Sequence, residues 1–189
     1  ERLTDADSAF IGARDMFFLS TVDDHGMPTV SYKGGAKGFG QVLDDSSLVF
    51  PSYDGNGMFY SMGNIATSAK IGLLFIDFEN PFRLRIQAEA SLSDEPALVH
   101  RYPGAQFVVR VAIESIFGNC PRYVHKMELV KHSRYVPDEH GAAPVAGWKR
   151  IDKHQSVLPA KDQGKAESVG GVISREEWVE MVRSGQDEA

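Results

Sequence analysis

One recurrence limits the fold more than anything else in this chain. Short apolar, aromatic and β-branched runs return along the sequence, and polar turn residues cut each one off. Met16-Phe17-Phe18-Leu19-Ser20-Thr21-Val22 has strand composition. Asp23-Asp24-His25-Gly26 ends it as a turn, and Met27 to Lys33 alternates as the returning hairpin partner. Ser47 to Pro51, Ile71 to Phe78, Arg83 to Leu92 and Phe107 to Phe117 predict further strands, with Pro81 marking the turn between the middle pair. Roughly six strands thus precede residue 130 at hairpin-like spacing, without the regular strand–helix alternation of a parallel sheet. The pattern predicts a mainly β fold: an antiparallel barrel with α-helical excursions.

The excursions have their own signals. Thr4 with Asp7 resembles a capping box, and Ala9, Phe10 and Ala13 follow at helical spacing, which predicts a helix over 4–14. Tyr53-Asp54-Gly55-Asn56-Gly57 is a turn cluster leading into a helix from Met58 to about Ser68. Asp94-Glu95-Pro96 opens another that runs to about Arg101. Arg122 to Val130 reads as helical, and Ser174 caps a final helix carrying Trp178, Met181 and Val182. Residues 34–46 are a glycine-rich stretch, and 133–173, rich in Gly, Pro, Ala and charge, are either an ordered wrap or a loose tail. The expected division is a barrel domain over 1–132 and a C-terminal extension over 133–189, packed on the same domain.

Composition excludes several function classes. The net charge of −6 and pI near 5.5 argue against non-specific nucleic-acid binding, which needs a basic surface. Cys120 is the single cysteine, so no intrachain disulfide forms and a reducing, cytoplasmic compartment is expected. No apolar run reaches transmembrane length and nothing resembles a signal peptide. The chain begins with Glu1, so a short leader is expected to have been trimmed or left out. The six histidines show no HExxH or paired-cysteine spacing, so no metal is expected, and no GxSxG elbow supports a hydrolase.

The candidate binding residues have two readings each. Lys33 is a solvent-facing strand lysine or a ligand for an anion. Gly34, Gly35, Gly38 and Gly40 let backbone approach a ligand or simply form a loop; they match neither a P-loop nor the dinucleotide fingerprint. Asn56, Ser61 and Asn64 flank a helix start and either donate to a phosphate or cap and turn. Arg83 and Arg85 lie two apart on a strand, hence on one face. In Cys120-Pro121-Arg122-Tyr123, proline explains a turn, Arg122 is positioned to reach a ligand or a partner subunit, and the lone thiol has no redox CxxC.

Four segments carry a resemblance: MFFLSTVDDHGMPTVSYKGG, YDGNGMFYSMGNIATSAKIGLLFIDFE, FRLRIQAEASL and FGNCPRYVHK. Their order over residues 8–130 is similar to the FMN-binding split β-barrel family of pyridoxamine 5′-phosphate oxidase. The glycine run after Lys33 and the NCPRY segment resemble a branch apart from the vitamin-B6 oxidase itself. The resemblance implies a homodimer with FMN at the subunit interface. It implies Ser31, Tyr32, Lys33 and Gly34 as cofactor contacts from the second strand and places Tyr60 and Ser61 at the helix region, where Asn56 and Asn64 are the further candidates already named. Where the family has a serine–arginine–lysine cluster, this chain has Phe59-Tyr60-Ser61. Lys33, Lys37, Arg83 or Arg85 would then stand in for the missing cations. Arg83 matches the polar residue directed at the flavin ring, with Arg85 beside it and Arg122 reaching in from the NCPRY segment. The activity implied is FMN-dependent oxidation or reduction of a small substrate, with no catalytic residue assigned. The alternatives are a non-catalytic flavin- or haem-binding module, or a barrel enzyme using the deazaflavin F420.

Overall fold

The computed structural model describes residues 2–186. Strand β1 (Met16–Val22) buries Phe17, Leu19 and Thr21 on one face, the period-two alternation its sequence predicts. The turn after it is held by Asp23, whose Oδ1 accepts the amides of His25 and Met27, with Gly26 at φ +81. Strand β2 (Pro28–Gly34) then returns antiparallel, with Leu19 opposite Ser31 and Phe17 opposite Lys33. Directly opposed residues share a face, so Ser31 and Lys33 point to the core side of the sheet.

The remaining strands are β3 (Gln41–Asp44), β4 (Ser47–Ser52), β5 (Lys70–Asp77), β6 (Phe82–Ser93) and β7 (Phe107–Asn119). All pair antiparallel in one seven-stranded sheet, ordered β2-β1-β5-β6-β7-β4-β3. Three strands separate β1 from β4 in that order, yet the rings of Phe17 and Phe50 meet with centroids 5.0 Å apart. The sheet therefore curls round a main core that includes Phe17, Phe50, Phe75, Leu19, Leu73 and Ile86, all fully buried, while Val49, Leu98, Tyr102 and Val108 form a second cluster. Each side chain of the main core contributes about 1.5–3 kcal/mol by leaving water. Among the described residues β2 and β3 take no further strand partner, so the barrel is split between them.

Helix α1 (Asp5–Gly12) starts with a complete Thr4–Asp7 capping box, α2 (Tyr60–Ser68) follows β4, and α3 (Pro96–Val99) is a single turn between β6 and β7. Three expectations need correction. The glycine-rich stretch hides β3, which makes seven strands where the sequence pattern yields about six. The helix opened by Asp94-Glu95-Pro96 stops at Val99 instead of Arg101 and continues as turns to Gly104. Arg122 to Val130 is not helical. Val124 N–H donates to Pro121 O in a turn, and Met127 N–H goes to Phe78 O, so the backbone spends its hydrogen bonds elsewhere.

The chain divides into two compact units: Glu1–His132 with Val136–Ala142, and Ser133–Tyr135 with Ala143–Ala189. In the second unit, four 3-10 segments (Gly147–Arg150, Asp152–Val157, Ala160–Asp162, Lys165–Val169) precede α4 (Arg175–Arg183), which has a Ser174–Glu177 capping box. Lys149 Nζ sits 2.8 Å from Asp162 Oδ2, with side chains 8% and 5% exposed, and Arg150 donates to the carbonyls of Gly170 and Gly171.

Candidate functional site

A cavity of about 360 Å³ lies in the first unit, where the end of β2, the loop after β4 and the first turn of α2 converge. Its wall includes Tyr32, Lys33 and Gly34 from β2, the chain from Pro51 to Gly57, and Phe59 to Met62, with Phe39 below. The local sequence explains why the start of α2 is open. No Ser, Thr, Asp or Asn stands at the cap: Phe59 does, in a left-handed conformation at φ 49, and it makes no side-chain cap bond. A bulky residue at positive φ is an outlier held in place by its surroundings. The first turn carries no acidic residue. Gly63 N–H reaches Phe59 O, while the amides of Tyr60, Ser61 and Met62 find no acceptor among the described residues. Three free N–H groups at the positive end of a helix dipole make a cradle for an anion.

Lys33 adds the cation. It is half-buried, and burial pushes its pKa below the ordinary lysine value. Of the four cations that the resemblance offers as stand-ins, Lys33 alone lines the cavity among the described residues. Tyr53, also in the wall, has its pKa raised by burial.

The predicted contacts divide as follows. Tyr32, Lys33, Gly34, Asn56, Tyr60 and Ser61 share the cavity wall. Ser31 stands behind it, its Oγ 3.1 Å from Ser61 Oγ. Asn56 Oδ1 accepts the Met58 amide and shapes the loop. Asn64 is buried and donates from Nδ2 to Thr21 Oγ1 at 3.0 Å, away from the wall. Arg83 and Arg85 project from the opposite face of β6, since Leu84 and Ile86 between and beside them are core residues. Arg83 Nη2 donates to Cys120 O, and its buried Nε has no acceptor among the described residues. Arg122 is exposed outside the cavity.

The glycine run serves a purpose that sequence reasoning missed. A Cβ at Gly34 would lie 2.7 Å from Tyr32 Cε1, and one at Gly35 would lie 2.7 Å from the Phe39 ring. These glycines let two aromatic rings close over the backbone beside the cavity. The missing cap before Met58-Phe59-Tyr60 was the signal available for the open helix start, because a helix without a capping residue leaves its amides for something else.

Residues 3–133 match the family model described as pyridoxamine 5′-phosphate oxidase. The chain belongs to that family. Among solved structures, a "putative pyridoxamine 5′-phosphate oxidase" from Lactobacillus delbrueckii is 27% identical, over 61% of this chain and 93% of that one, with a TM-score of 0.50. An FMN-binding protein from Syntrophomonas wolfei (14% identical, 59% and 82% covered, TM-score 0.44) and the haem storage protein HutZ from Vibrio cholerae (19%, 62% and 94%, TM-score 0.45) are also similar. No curated protein matches the chain. The pyridoxamine 5′-phosphate oxidase family membership and the curled antiparallel sheet together define an FMN-binding-type split β-barrel. Among the described residues no helix is long and apolar enough to cross a membrane, and no cluster of His, Cys, Asp and Glu fits a metal ion.

Proposed function

We propose that this family member binds FMN and works as an oxidoreductase on a small substrate. The observation that carries the reading is the meeting of Lys33 with the free amides of Tyr60, Ser61 and Met62 in one cavity wall. A phosphate monoester needs that set: charge-assisted donation from an ammonium group and several backbone N–H donors. The residues fit the group, so Lys33, Ser61 and the first turn of α2 would hold the phosphate, with Tyr32, Tyr60 and Asn56 around it. When bound, FMN supplies hydride and single-electron chemistry, which the protein need only orient and tune.

The same reading makes the chain a homodimer in a reducing compartment. One transverse row on the outer face of the sheet runs Tyr32, Phe18, Leu74, Arg85, Phe117 through the strand register. Tyr32 is 62% exposed and Phe117 39%, an apolar content that favours covering by a second copy. Arg83, Arg85 and Arg122 then contribute to a cofactor site shared between subunits.

The test is the absorption spectrum of the purified protein, with the mass of any cofactor released on denaturation, followed by turnover with a nicotinamide donor. A flavin spectrum and the FMN mass support the cofactor, and steady donor oxidation supports the enzyme. A colourless protein that refuses added FMN sinks both. Tight FMN binding without turnover leaves a flavin-binding module.

A further inference from the structure

Helix–sheet seams are normally apolar, but the one that positions this cavity is polar. Ser61, Asn64 and Ser68 recur at helical spacing along one face of α2. Each meets the first hairpin through a side-chain hydrogen bond. Ser61 Oγ lies 3.1 Å from Ser31 Oγ on β2, Asn64 Nδ2 donates to Thr21 Oγ1 on β1 at 3.0 Å, and Ser68 Oγ donates to Val22 O at 3.0 Å. Thr21 and Asn64 are 1% and 9% exposed, so their bond forms away from water, where losing either partner strands the other. Met62 and Ile65 pack into the core beside the seam.

The two halves of the anion cradle lie on the two sides of this seam. Lys33 belongs to β2, and the free amides belong to the first turn of α2. Apolar packing alone would let the helix slide or rotate by fractions of an ångström at little cost, whereas a buried directional bond does not. We propose that Thr21 and Asn64 are positioning residues, which hold the α2 amides and Lys33 in register on one bound phosphate. Asn64 thereby acts on the ligand through Thr21 and the helix, without touching it. The inference rests on the phosphate-binding reading of the cavity.

The experiment separates positioning from stability. Thr21→Val removes the acceptor at nearly constant volume and is expected to lower the melting temperature and weaken FMN. Thr21→Ser keeps the hydroxyl and is expected to preserve affinity. The deciding variant is Thr21→Val with Asn64→Leu, which removes both polar groups and restores an apolar seam. It is expected to regain the wild-type melting temperature while binding FMN about tenfold more weakly, the equivalent of about 1.4 kcal/mol. Its FMN affinity should also be less sensitive to Lys33→Gln than that of the wild type. Wild-type affinity in a folded double variant overturns the proposal. So does undiminished sensitivity to Lys33→Gln.

Inorganic phosphate serves as a second probe, through its effect on the melting temperature. If the wild type responds to phosphate but not to FMN, the flavin reading fails and the seam is judged on phosphate alone. Equal phosphate responses in wild type and double variant then overturn it. If the wild type responds to neither, both readings fall.

Discussion

Replacing Lys33 by glutamine perturbs binding and stability in opposite directions. The lysine lies on the core-facing side of β2, opposite the fully buried Phe17, and burial lowers its pKa. The folded protein without ligand therefore binds that proton less tightly than the unfolded chain, whose lysines titrate near about 10.4. The cost to folding is fully present below the folded-state pKa and disappears as pH rises through it towards the unfolded value. At pH 7 Lys33→Gln is expected to raise the Tm of the ligand-free protein, because it removes a half-buried charge. Binding moves the other way. A charge-assisted hydrogen bond to phosphate is worth about 1.5–3 kcal/mol, so FMN affinity should fall by about 10- to 100-fold. Wild-type affinity should also decline as pH rises through the Lys33 pKa, and the variant should lack that decline. Fluorescence-quenching titration of FMN and thermal unfolding, both across pH, check these outcomes. Unchanged FMN affinity, or a ligand-free variant less stable than wild type, refutes the assignment.

The carboxyl of Asp77 is pushed up by burial, but donation from the Asn80 amide and from Arg14, 2.8 Å away, outweighs this and holds its pKa below the ordinary value. That stability is present above the unfolded carboxylate pKa and is lost as pH falls through the lower folded one. Asp77→Asn should cost about 1–3 kcal/mol at pH 7 in urea unfolding, and the gap should narrow at pH 3. Gly35→Ala drives a methyl into the Phe39 ring, which stacks on Phe17 at 5.2 Å. A loss of about 1–3 kcal/mol is expected in urea unfolding, and wild-type stability would show that Phe39 gives way without cost. In the second unit, Asp162→Ala removes a carboxylate from Lys149 and Lys165. A loss of about 3–5 kcal/mol should appear as faster proteolysis within residues 143–186.

Much of the barrel was legible because strand alternation is a local property. Phe17, Leu19 and Thr21 announce a buried face whatever they pack against, and Thr4 with Asp7 announces a helix start. Lys33, Tyr60 and Ser61 were readable as candidates through the family resemblance. The tertiary structure decided which of them meet. It turned Arg83 and Arg85 away from the core and left both outside the cavity wall, because their odd positions alternate with core residues Leu84 and Ile86. Asn64 went to Thr21, 43 residues away, and Gly34 and Gly35 make room for rings that no short-range pattern reveals. Helicity failed at Arg122 to Val130 because Met127 found Phe78 O as its acceptor, a partner fixed only when β5 and β6 are joined. Alternation and caps are set by a few neighbouring residues, whereas a binding wall depends on which distant segments the curled sheet brings together.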